Sequence, residues 1–205
     1  MRRTRFSSNG GQRKGDRRIR LSVEVQARDS VLSLLPKRSV GVELGVHLGL
    51  FARQIRQRVN PVKLHLVDPW LALADSAHKE TWYARVSQAE MDGYHAAVTA
   101  NFDKAVKLGQ VEIHRMTSWD AMARFPGNSL DWVYIDADHA YQSVARDLQD
   151  SFAKVKPGGL IAGDDYKLGG WWGDGIVRAV HELVASHPVK LVMVLDDQYV
   201  IQKLA

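Results

Sequence analysis

A strand–helix–strand pattern over residues 130–166 constrains the fold more than any other part of the chain. Residues 132–135 form a short apolar run, typical of a strand buried on both faces. Asp138 is then placed to cap a helix, Pro157-Gly158-Gly159 is expected to end it, and residues 160–162 begin a second strand. The helix is predicted from an apolar stripe of Tyr141, Val144, Ala145, Leu148, Phe152 and Val155. This pattern predicts a βαβ unit with parallel strands and a right-handed crossover.

Carboxylates follow both strands of this unit, Asp136 after the first and Asp164-Asp165 after the second. If the strands are neighbours, they lie roughly 4.8 Å apart and the three carboxylates share a small volume. Such a group repels itself unless a proton or a cation lies between its members, and Mg²⁺ prefers oxygen ligands. We therefore predict a magnesium site of Asp136, Asp164 and Asp165, at the strand ends where open α/β sheets bind ligands. The alternative is that these acids cap helices or face water.

A second ligand signal lies nearer the start of the chain. A strand that begins at residue 39 runs into a turn between Gly45 and Gly49, and a helix follows whose backbone N–H groups can accept a negative group. The spacing Glu43-x-Gly45-x-x-x-Gly49 is neither a dinucleotide fingerprint nor a Walker loop. Asp68 ends the next strand, residues 62–67, where an acid commonly binds the ribose of a nucleoside ligand. Together the two features favour a nucleoside-containing ligand, and a plain loop position for Asp68 stays open.

The remaining segments complete an α/β pattern. They are a leading helix over 22–35, a third strand over 110–115, a helix over 118–125, an amphipathic helix from Ile176, and strands 189–195 and 199–202 around a turn at 196–198. Residues 70–108 are expected to be helical, as a lid over the substrate or as plain packing. Trp171 and Trp172 are expected either to line the site of an aromatic or sugar substrate or to pack together as a hydrophobic plug. We therefore expect a Rossmann-like, doubly wound α/β fold with a mostly parallel sheet and a C-terminal antiparallel hairpin.

The composition narrows the class of protein. A chain of 205 residues fits one domain, which we place at residues 21–205. The sequence contains no cysteine, which excludes disulfides, thiolate metal ligands and a cysteine nucleophile. It also lacks an apolar run of 18 residues, so we expect no membrane span. Its first residues have no apolar signal region, and the cytoplasm is the default compartment.

The net charge of +5 comes from one end of the chain. Residues 1–20 hold eight of the 28 basic residues and one of the 23 acidic residues, so residues 21–205 carry 20 basic and 22 acidic residues. The body is therefore nearly neutral, and the basic tail is expected to be disordered. A tail of this kind can hold nucleic acid, but we favour a small-molecule partner over nucleic acid.

Five segments resemble the class I S-adenosylmethionine-dependent methyltransferases over about residues 38–202: VELGVHLG, LVDPW, SLDWVYIDADHAY, KPGGLIAGDDY and GIVRAV. The last three are similar to a narrower branch that includes metal-dependent O-methyltransferases of the macrocin and sugar-modifying type. The resemblance implies the Rossmann-like fold, S-adenosylmethionine as cofactor and an O-methyltransferase activity.

The resemblance also implies positions for the cofactor. Glu43, Gly45 and Gly49 would line its methionine and ribose part, and Asp68 would bind the ribose hydroxyls. Ser118 and Trp119 would lie beside the adenine, although Thr117 stands where the family often has an acid. His47 lies within the same glycine turn and is grouped with the cofactor-binding residues, with a structural and a substrate-facing role both open.

The same resemblance matches Asp136, Asp164 and Asp165 to metal ligands and His139 to a general base. The chemistry agrees, because bound Mg²⁺ lowers the pKa of a hydroxyl and a neutral histidine can take its proton. We therefore expect an O-methyltransferase that acts on a sugar, glycoside or phenol, with Asp136 and His139 as catalytic residues. Three alternatives stay open: a metal-independent enzyme of this fold, an RNA or protein methyltransferase that uses the basic tail, and a non-catalytic nucleoside-binding module. The leading helix is a candidate interface for a homo-oligomer.

Overall fold

The computed structural model describes residues 27–73, 81 and 83–205. The predicted basic tail (residues 1–20), the first residues of the predicted leading helix, and residues 74–80 and 82 of the predicted lid lie outside the described residues. Their predictions therefore stay predictions.

The core of the protein is a seven-stranded mixed sheet with the order β3-β2-β1-β4-β5-β7-β6. Strands β1 to β5 are parallel to one another, whereas β7 is antiparallel to β5 and to β6. The strands are β1 (Val40–Leu44), β2 (Lys63–Val67), β3 (Val111–His114), β4 (Leu130–Ile135), β5 (Val155–Gly163), β6 (Val189–Leu195) and β7 (Gln198–Lys203). The predicted Rossmann-like α/β fold with a C-terminal antiparallel hairpin is confirmed.

Helices cover both faces of the sheet. Within the described residues they are α1, described over residues 27–34, α2 (Leu50–Arg58), α3 (Gln88–Lys107), α4 (Ser118–Met122), α5 (Tyr141–Lys154) and α6 (Gly175–Ser186), with a 3₁₀ turn at Tyr83–Arg85. Because successive strand side chains point to opposite faces, Trp132 and Tyr134 pack under α1 to α3, whereas Val133 and Ile135 pack under α4 to α6. None of the described helices combines the length and apolar character that crossing a bilayer requires.

The central βαβ unit forms as predicted, but its second strand begins earlier. Helix α5 ends at Lys154 and β5 starts at once, so Val155 and Pro157-Gly158-Gly159 belong to the strand. The prediction that these three residues end the helix is wrong. The β4–β5 register shifts between the pairs Leu130↔Val155 and Trp132↔Leu160, so the β5 segment bulges out of the ladder. A bulge accommodates Pro157, because a proline has no N–H to donate to a regular ladder.

Two smaller predictions in this region also need correction. The residue that caps α5 is Ala140, without a side-chain hydrogen bond, and Asp138 instead accepts from the Ser143 hydroxyl at 2.6 Å. At the hairpin the turn is Asp196-Asp197, and Gln198 is the first residue of β7 and not part of the turn. The start of β7 therefore lies beside the end of β5, where Gly163 is paired with Tyr199.

Candidate active site at the carboxyl ends of the strands

Asp136 and Asp164 lie side by side at the rim formed by the ends of the parallel strands. Strands β4 and β5 are neighbours, and Ile135 is paired with Gly163, the last residue of each strand. The Asp136 N–H donates to Leu44 at 2.8 Å, and the Asp164 N–H donates to Ile135 at 3.1 Å. The expectation that these two strand ends meet at one rim is therefore confirmed.

A guanidinium group connects these two carboxylates. The Nη2 atom of Arg28, on α1, lies 3.2 Å from Asp136 Oδ2 and also bonds Asp164 Oδ2. Its guanidinium lies over the Phe51 ring, 5.1 Å from the ring centroid. The Gln198 side-chain amide donates to the other Asp164 oxygen. In this structure a protein cation therefore relieves the repulsion between Asp136 and Asp164.

Sequence reasoning missed both Arg28 and Gln198. Arg28 is separated from Asp136 by 108 positions, and the leading helix was predicted from apolar spacing alone, which does not report the partner of a charged residue. Gln198 did have a usable signal. An antiparallel strand beside β5 must begin next to the end of β5, so the residue that opens it lies at the rim.

A second group of side chains includes the other oxygen of Asp136. The donor atoms of Asp136, His139 and Asp165 all lie within 4.8 Å of one another. His139 Nε2 is 3.4 Å from Asp165 Oδ2 and 3.7 Å from Asp136 Oδ1, and Lys167 Nζ is 2.9 Å from Asp165 Oδ1. Asp164 thus faces Arg28 and Gln198, whereas Asp165 faces His139 and Lys167. The structure brings the three predicted metal ligands to one rim, and the donor group whose atoms all lie within 4.8 Å contains His139 in place of Asp164.

The pKa values of two side chains at the rim, Asp164 and His139, are raised. Burial and the charge of Asp136 raise the pKa of Asp164 and Arg28 opposes both effects, with a net value of about 6. Burial acts to lower the pKa of His139, but the side chain of Asp136 and the charge of Asp165 outweigh it, so the net shift is upward. The raised pKa of His139 therefore reflects the carboxylates around it, whereas that of Asp164 reflects mainly its burial.

The tryptophan loop adjoins His139. The His139 and Trp172 rings meet edge to face at 4.9 Å between centroids, and the Trp171 ring stacks on His139 at 6.2 Å and 19°. The Trp172 ring also packs against the core under α4 to α6, as the plug interpretation requires. Both indoles are partly exposed, so the pair forms an aromatic wall next to the predicted base.

The glycine turn after β1 touches the exit of β4. Gly45 has a φ of 85°, and a Cβ atom there would lie 1.9 Å from the backbone oxygen of Asp136. Gly49 has a φ of 71° and is the residue that precedes α2. Only glycine meets both demands at position 45, positive φ and close backbone approach. The turn and the carboxylate rim are therefore parts of one site.

Asp68 holds this turn in place. Its Oδ2 atom accepts the N–H groups of Val46 and His47, both at 2.9 Å, and its Oδ1 atom accepts the N–H of Trp70 at 2.7 Å. The buried Trp70 indole in turn donates to the His47 carbonyl at 2.9 Å. His47 has a φ of 52° and its ring meets Tyr94 edge to face, so it contributes to the shape of the turn. Asp68 thus has a structural role in addition to the predicted contact with a ribose.

Glu43 presents a buried carboxylate at the base of the turn. Its side chain is only 2% exposed, and its Oε2 atom has no hydrogen-bond partner among the described residues. Burial raises its pKa well above the ordinary value, Asp136 adds to the shift, and Arg28 opposes it. A buried acceptor without a partner costs roughly 1–3 kcal/mol, so this oxygen is a candidate for ligand binding.

The predicted adenine residues lie at the start of α4. Thr117 caps the helix, and the Ser118 hydroxyl donates to Asp147 at 2.5 Å. Burial raises the pKa of Asp147 and the bond from Ser118 opposes the shift, with a net value of about 7. The Trp119 ring is covered by the guanidinium of Arg146 at 4.6 Å. Ser118 and Trp119 therefore both connect α4 to α5, through Asp147 and Arg146.

The fold and the rim site define the class of protein. A family model described as a methyltransferase domain matches residues 42–166, which is more than half of the chain. The chain therefore belongs to this family, and it is a class I S-adenosylmethionine-dependent methyltransferase. A search of the curated proteins finds no match.

Solved structures share this fold at low sequence identity. An O-methyltransferase from Bacillus cereus in complex with SAH is 15% identical with a TM-score of 0.59, and the match covers 88% of this chain and 81% of that chain. The O-methyltransferase TomG from Streptomyces achromogenes, involved in tomaymycin synthesis and in complex with SAM, is 13% identical with a TM-score of 0.60, covering 90% and 78%. A protein from Clostridium thermocellum provisionally described as an rRNA methylase is 12% identical with a TM-score of 0.60, covering 89% and 96%. These similarities show the fold alone.

Proposed function

We propose that this protein transfers a methyl group from S-adenosylmethionine to a hydroxyl oxygen of a small molecule, with Mg²⁺ at the rim. The observation that carries the proposal is the meeting of the Asp136, Asp164 and Asp165 carboxylates at one rim, with a His139 nitrogen within 4.8 Å of Asp136 and Asp165 oxygens. Amine and carbon acceptors do not require such a cluster of carboxylates. A hydroxyl is a poor nucleophile until it loses its proton, and this cluster is suited to removing it.

The cofactor site fits S-adenosylmethionine, which supplies an electrophilic methyl group on a sulfonium. The Glu43 Oε2 atom, which has no partner among the described residues, would accept a hydrogen bond from the cofactor's ammonium group. Asp68 uses three of its roughly four acceptor positions for backbone N–H groups, which leaves one for a ribose hydroxyl. Proteins of the same fold in complex with SAM and SAH support this assignment.

The rim fits a divalent cation, and Asp136, Asp164 and Asp165 are the residues that would hold it. A bound Mg²⁺ would supply a Lewis acid that lowers the pKa of the acceptor hydroxyl. The carboxylate oxygens are the donors that Mg²⁺ prefers. Arg28 and Lys167 already contact these carboxylates, so we expect both cations to weaken metal binding.

Other residues around the rim would remove the proton, contact the acceptor and place the methyl donor. His139 would take the proton of the acceptor hydroxyl, and Asp136 and Asp165 would orient its ring and stabilise the imidazolium. Trp171 and Trp172 would pack against the acceptor, which favours a sugar, a glycoside or a phenol over an aliphatic alcohol. The glycine turn would place the methyl donor beside this wall, because Gly45 contacts the exit of β4.

A metal-independent enzyme of the same fold is the second candidate. The Arg28 guanidinium already bonds both Asp136 and Asp164, so a protein cation can balance these charges without a metal. In that case the carboxylates would serve substrate binding and His139 would act alone as the base.

The test uses methyl-labelled S-adenosylmethionine with a panel of sugars, glycosides and catechols, in Mg²⁺ and in chelator. We expect a labelled product in Mg²⁺ that falls by roughly 100-fold in chelator and in Asp165→Asn, the range typical of lost acid–base assistance. Asp103→Asn, an exposed acid on α3, is the matched control and should behave like the wild type. Equal turnover in both buffers would favour the metal-independent enzyme. Labelling of RNA or protein in place of the panel would contradict the small-molecule assignment.

A further inference from the structure

A second group of metal-ligand side chains lies away from the rim, on the β2–β3 strand pair. The group is His65, Glu112 and His114, which we call the histidine cluster. The parallel register pairs His65 with Glu112 and Val67 with His114. Side chains on a strand alternate between faces, so all three project from the face of the sheet that α4 to α6 cover. Two rigid neighbouring strands therefore fix the positions of these donors.

The separations between the donor atoms are close to those of a metal site. His65 Nδ1 and His114 Nε2 are 3.0 Å apart. A Glu112 oxygen lies 3.8 Å from each of these nitrogens, Oε2 from His65 and Oε1 from His114. A tetrahedral zinc ion with bonds of about 2.0–2.2 Å separates its ligand atoms by about 3.3 Å. Each observed distance needs only a small adjustment to reach that value.

The environment keeps both imidazoles ready to bind a metal. The side chains of His65 and His114 are 12% and 11% exposed, and that of Glu112 is 50% exposed. Burial lowers the pKa of both histidines, that of His65 to about 4, so both are neutral near pH 7. The Phe125 ring packs against the His65 ring at 4.8 Å between centroids and restricts its orientation. The exposed side of Glu112 leaves room for a water as a fourth ligand.

We propose that the histidine cluster binds a transition-metal ion such as Zn²⁺ through His65 Nδ1, His114 Nε2 and a Glu112 oxygen. Two imidazoles and one carboxylate suit zinc, copper or nickel better than magnesium. The ion would take the place of the proton that the two facing nitrogens now share, and that proton would move to the other ring nitrogen of its histidine. The bound ion would tie the edge strand β3 to β2.

Lys63 opposes this site and provides a sharp test of it. Its Nζ atom lies 2.9 Å from Glu112 Oε2, so it competes with a metal for that carboxylate and adds a positive charge nearby. Removing Lys63 should therefore strengthen zinc binding. A histidine pair with a purely structural role would not give this gain.

The experiment is calorimetric titration of the full chain with ZnCl₂ in excess MgCl₂, in an Asp165→Asn background that weakens the rim as a competing site. We expect one Zn²⁺ per chain. We also expect an affinity at least tenfold lower in Glu112→Gln and about 100-fold lower in His114→Ala, the range found when metal-site contacts are lost. Lys63→Met should raise the affinity, and the matched control His187→Ala should not change it.

A spectroscopic measurement distinguishes loss of the metal site from misfolding of a variant. Co²⁺ bound in the histidine cluster should give the visible absorption of a tetrahedral ion, and that absorption should be absent in Glu112→Gln with an unchanged circular dichroism spectrum. The proposal is overturned if the Asp165→Asn protein binds no Zn²⁺ at high micromolar concentration. It is equally overturned if His114→Ala and Glu112→Gln bind Zn²⁺ as the parent protein does.

Discussion

The sheet carries two groups of titratable side chains, and they differ in almost every physical respect. The rim group at the ends of β4 and β5 is rich in carboxylates, contacts Arg28 and Lys167, and raises the pKa values of Asp164 and His139. The histidine cluster within β2 and β3 is rich in imidazoles, and burial lowers their pKa values. The position on the sheet explains the difference. Strand ends gather acids from loops with access to water, whereas strand interiors hold side chains between neighbouring strands and a covering helix.

The largest expected effect is on kcat, in which the rim takes part and the histidine cluster does not. His139→Ala should lower kcat by roughly 100- to 1,000-fold, because the acceptor hydroxyl loses its proton acceptor. Binding of S-adenosylhomocysteine should be unchanged, since the ring faces the carboxylates and not the glycine turn. Single-turnover kinetics at pH 7.5 would measure the loss, with His187→Ala as the control. Near-normal turnover of His139→Ala would remove His139 from the catalytic group.

The next effect concerns the turn that joins the cofactor site to the rim. Asp68→Ala leaves three backbone N–H groups without their acceptor. We expect S-adenosylhomocysteine to bind roughly 10- to 100-fold more weakly, because one hydrogen bond to a charged group contributes about 1.5–3 kcal/mol. Calorimetry of Asp68→Ala against Asp103→Ala would measure this. An unchanged affinity would mean that Asp68 holds neither the turn nor the ribose.

These same residues show how much of the fold and of the site can be predicted from the sequence alone. Asp136 and Asp164 were predicted to meet because a βαβ unit aligns its strand ends, and the register of β4 and β5 confirms it. The bulge at Pro157-Gly158-Gly159 was missed because glycine and proline mark helix ends and bulges alike. Arg28 was missed because no local pattern connects a helical arginine to a carboxylate 108 residues away. The histidine cluster was missed because its members belong to two strands, and only the β2–β3 register brings them together.

A third prediction uses pH to test the neutrality of the histidine cluster. The folded pKa of His65, about 4, lies below its ordinary value of 6.5, so the unfolded chain takes up a proton first as pH falls. His65 therefore stabilises the fold above about pH 6.5, and this contribution is lost as pH falls toward 4, by about 2–3 kcal/mol. Chemical denaturation at pH 7.5 and at pH 5 should show a smaller loss of stability in His65→Gln than in the wild type. The groups that face His65 are His114, Glu112 and Lys63, and they are unchanged in both proteins. An equal loss in the two proteins would show that His65 is not held neutral.

The smallest expected effect tests competition between Arg28 and a metal at the rim. Arg28→Met removes the cation that bonds Asp136 and Asp164, and it leaves these carboxylates and Glu43 uncompensated. We expect Mg²⁺ to bind up to about tenfold more tightly, which corresponds to about 1.4 kcal/mol of lost competition. Without Mg²⁺ the variant should melt at a lower temperature than the wild type, and added Mg²⁺ should remove this difference. Arg53→Met, on the exposed face of α2, is the matched control. A variant that melts like the wild type in both buffers would show that Arg28 and a metal do not compete for the same carboxylates.

The most direct test of the account is calorimetric titration of the full chain with S-adenosylhomocysteine in Mg²⁺ buffer. The account predicts one ligand per chain, with weaker binding in Asp68→Ala and unchanged binding in His139→Ala. Because the buried Glu43 oxygen is the proposed acceptor for the ligand's ammonium group, Glu43→Gln should also weaken binding. A correctly folded protein that binds no S-adenosylhomocysteine at high micromolar concentration would contradict the cofactor site, and with it the proposed methyl transfer at the rim.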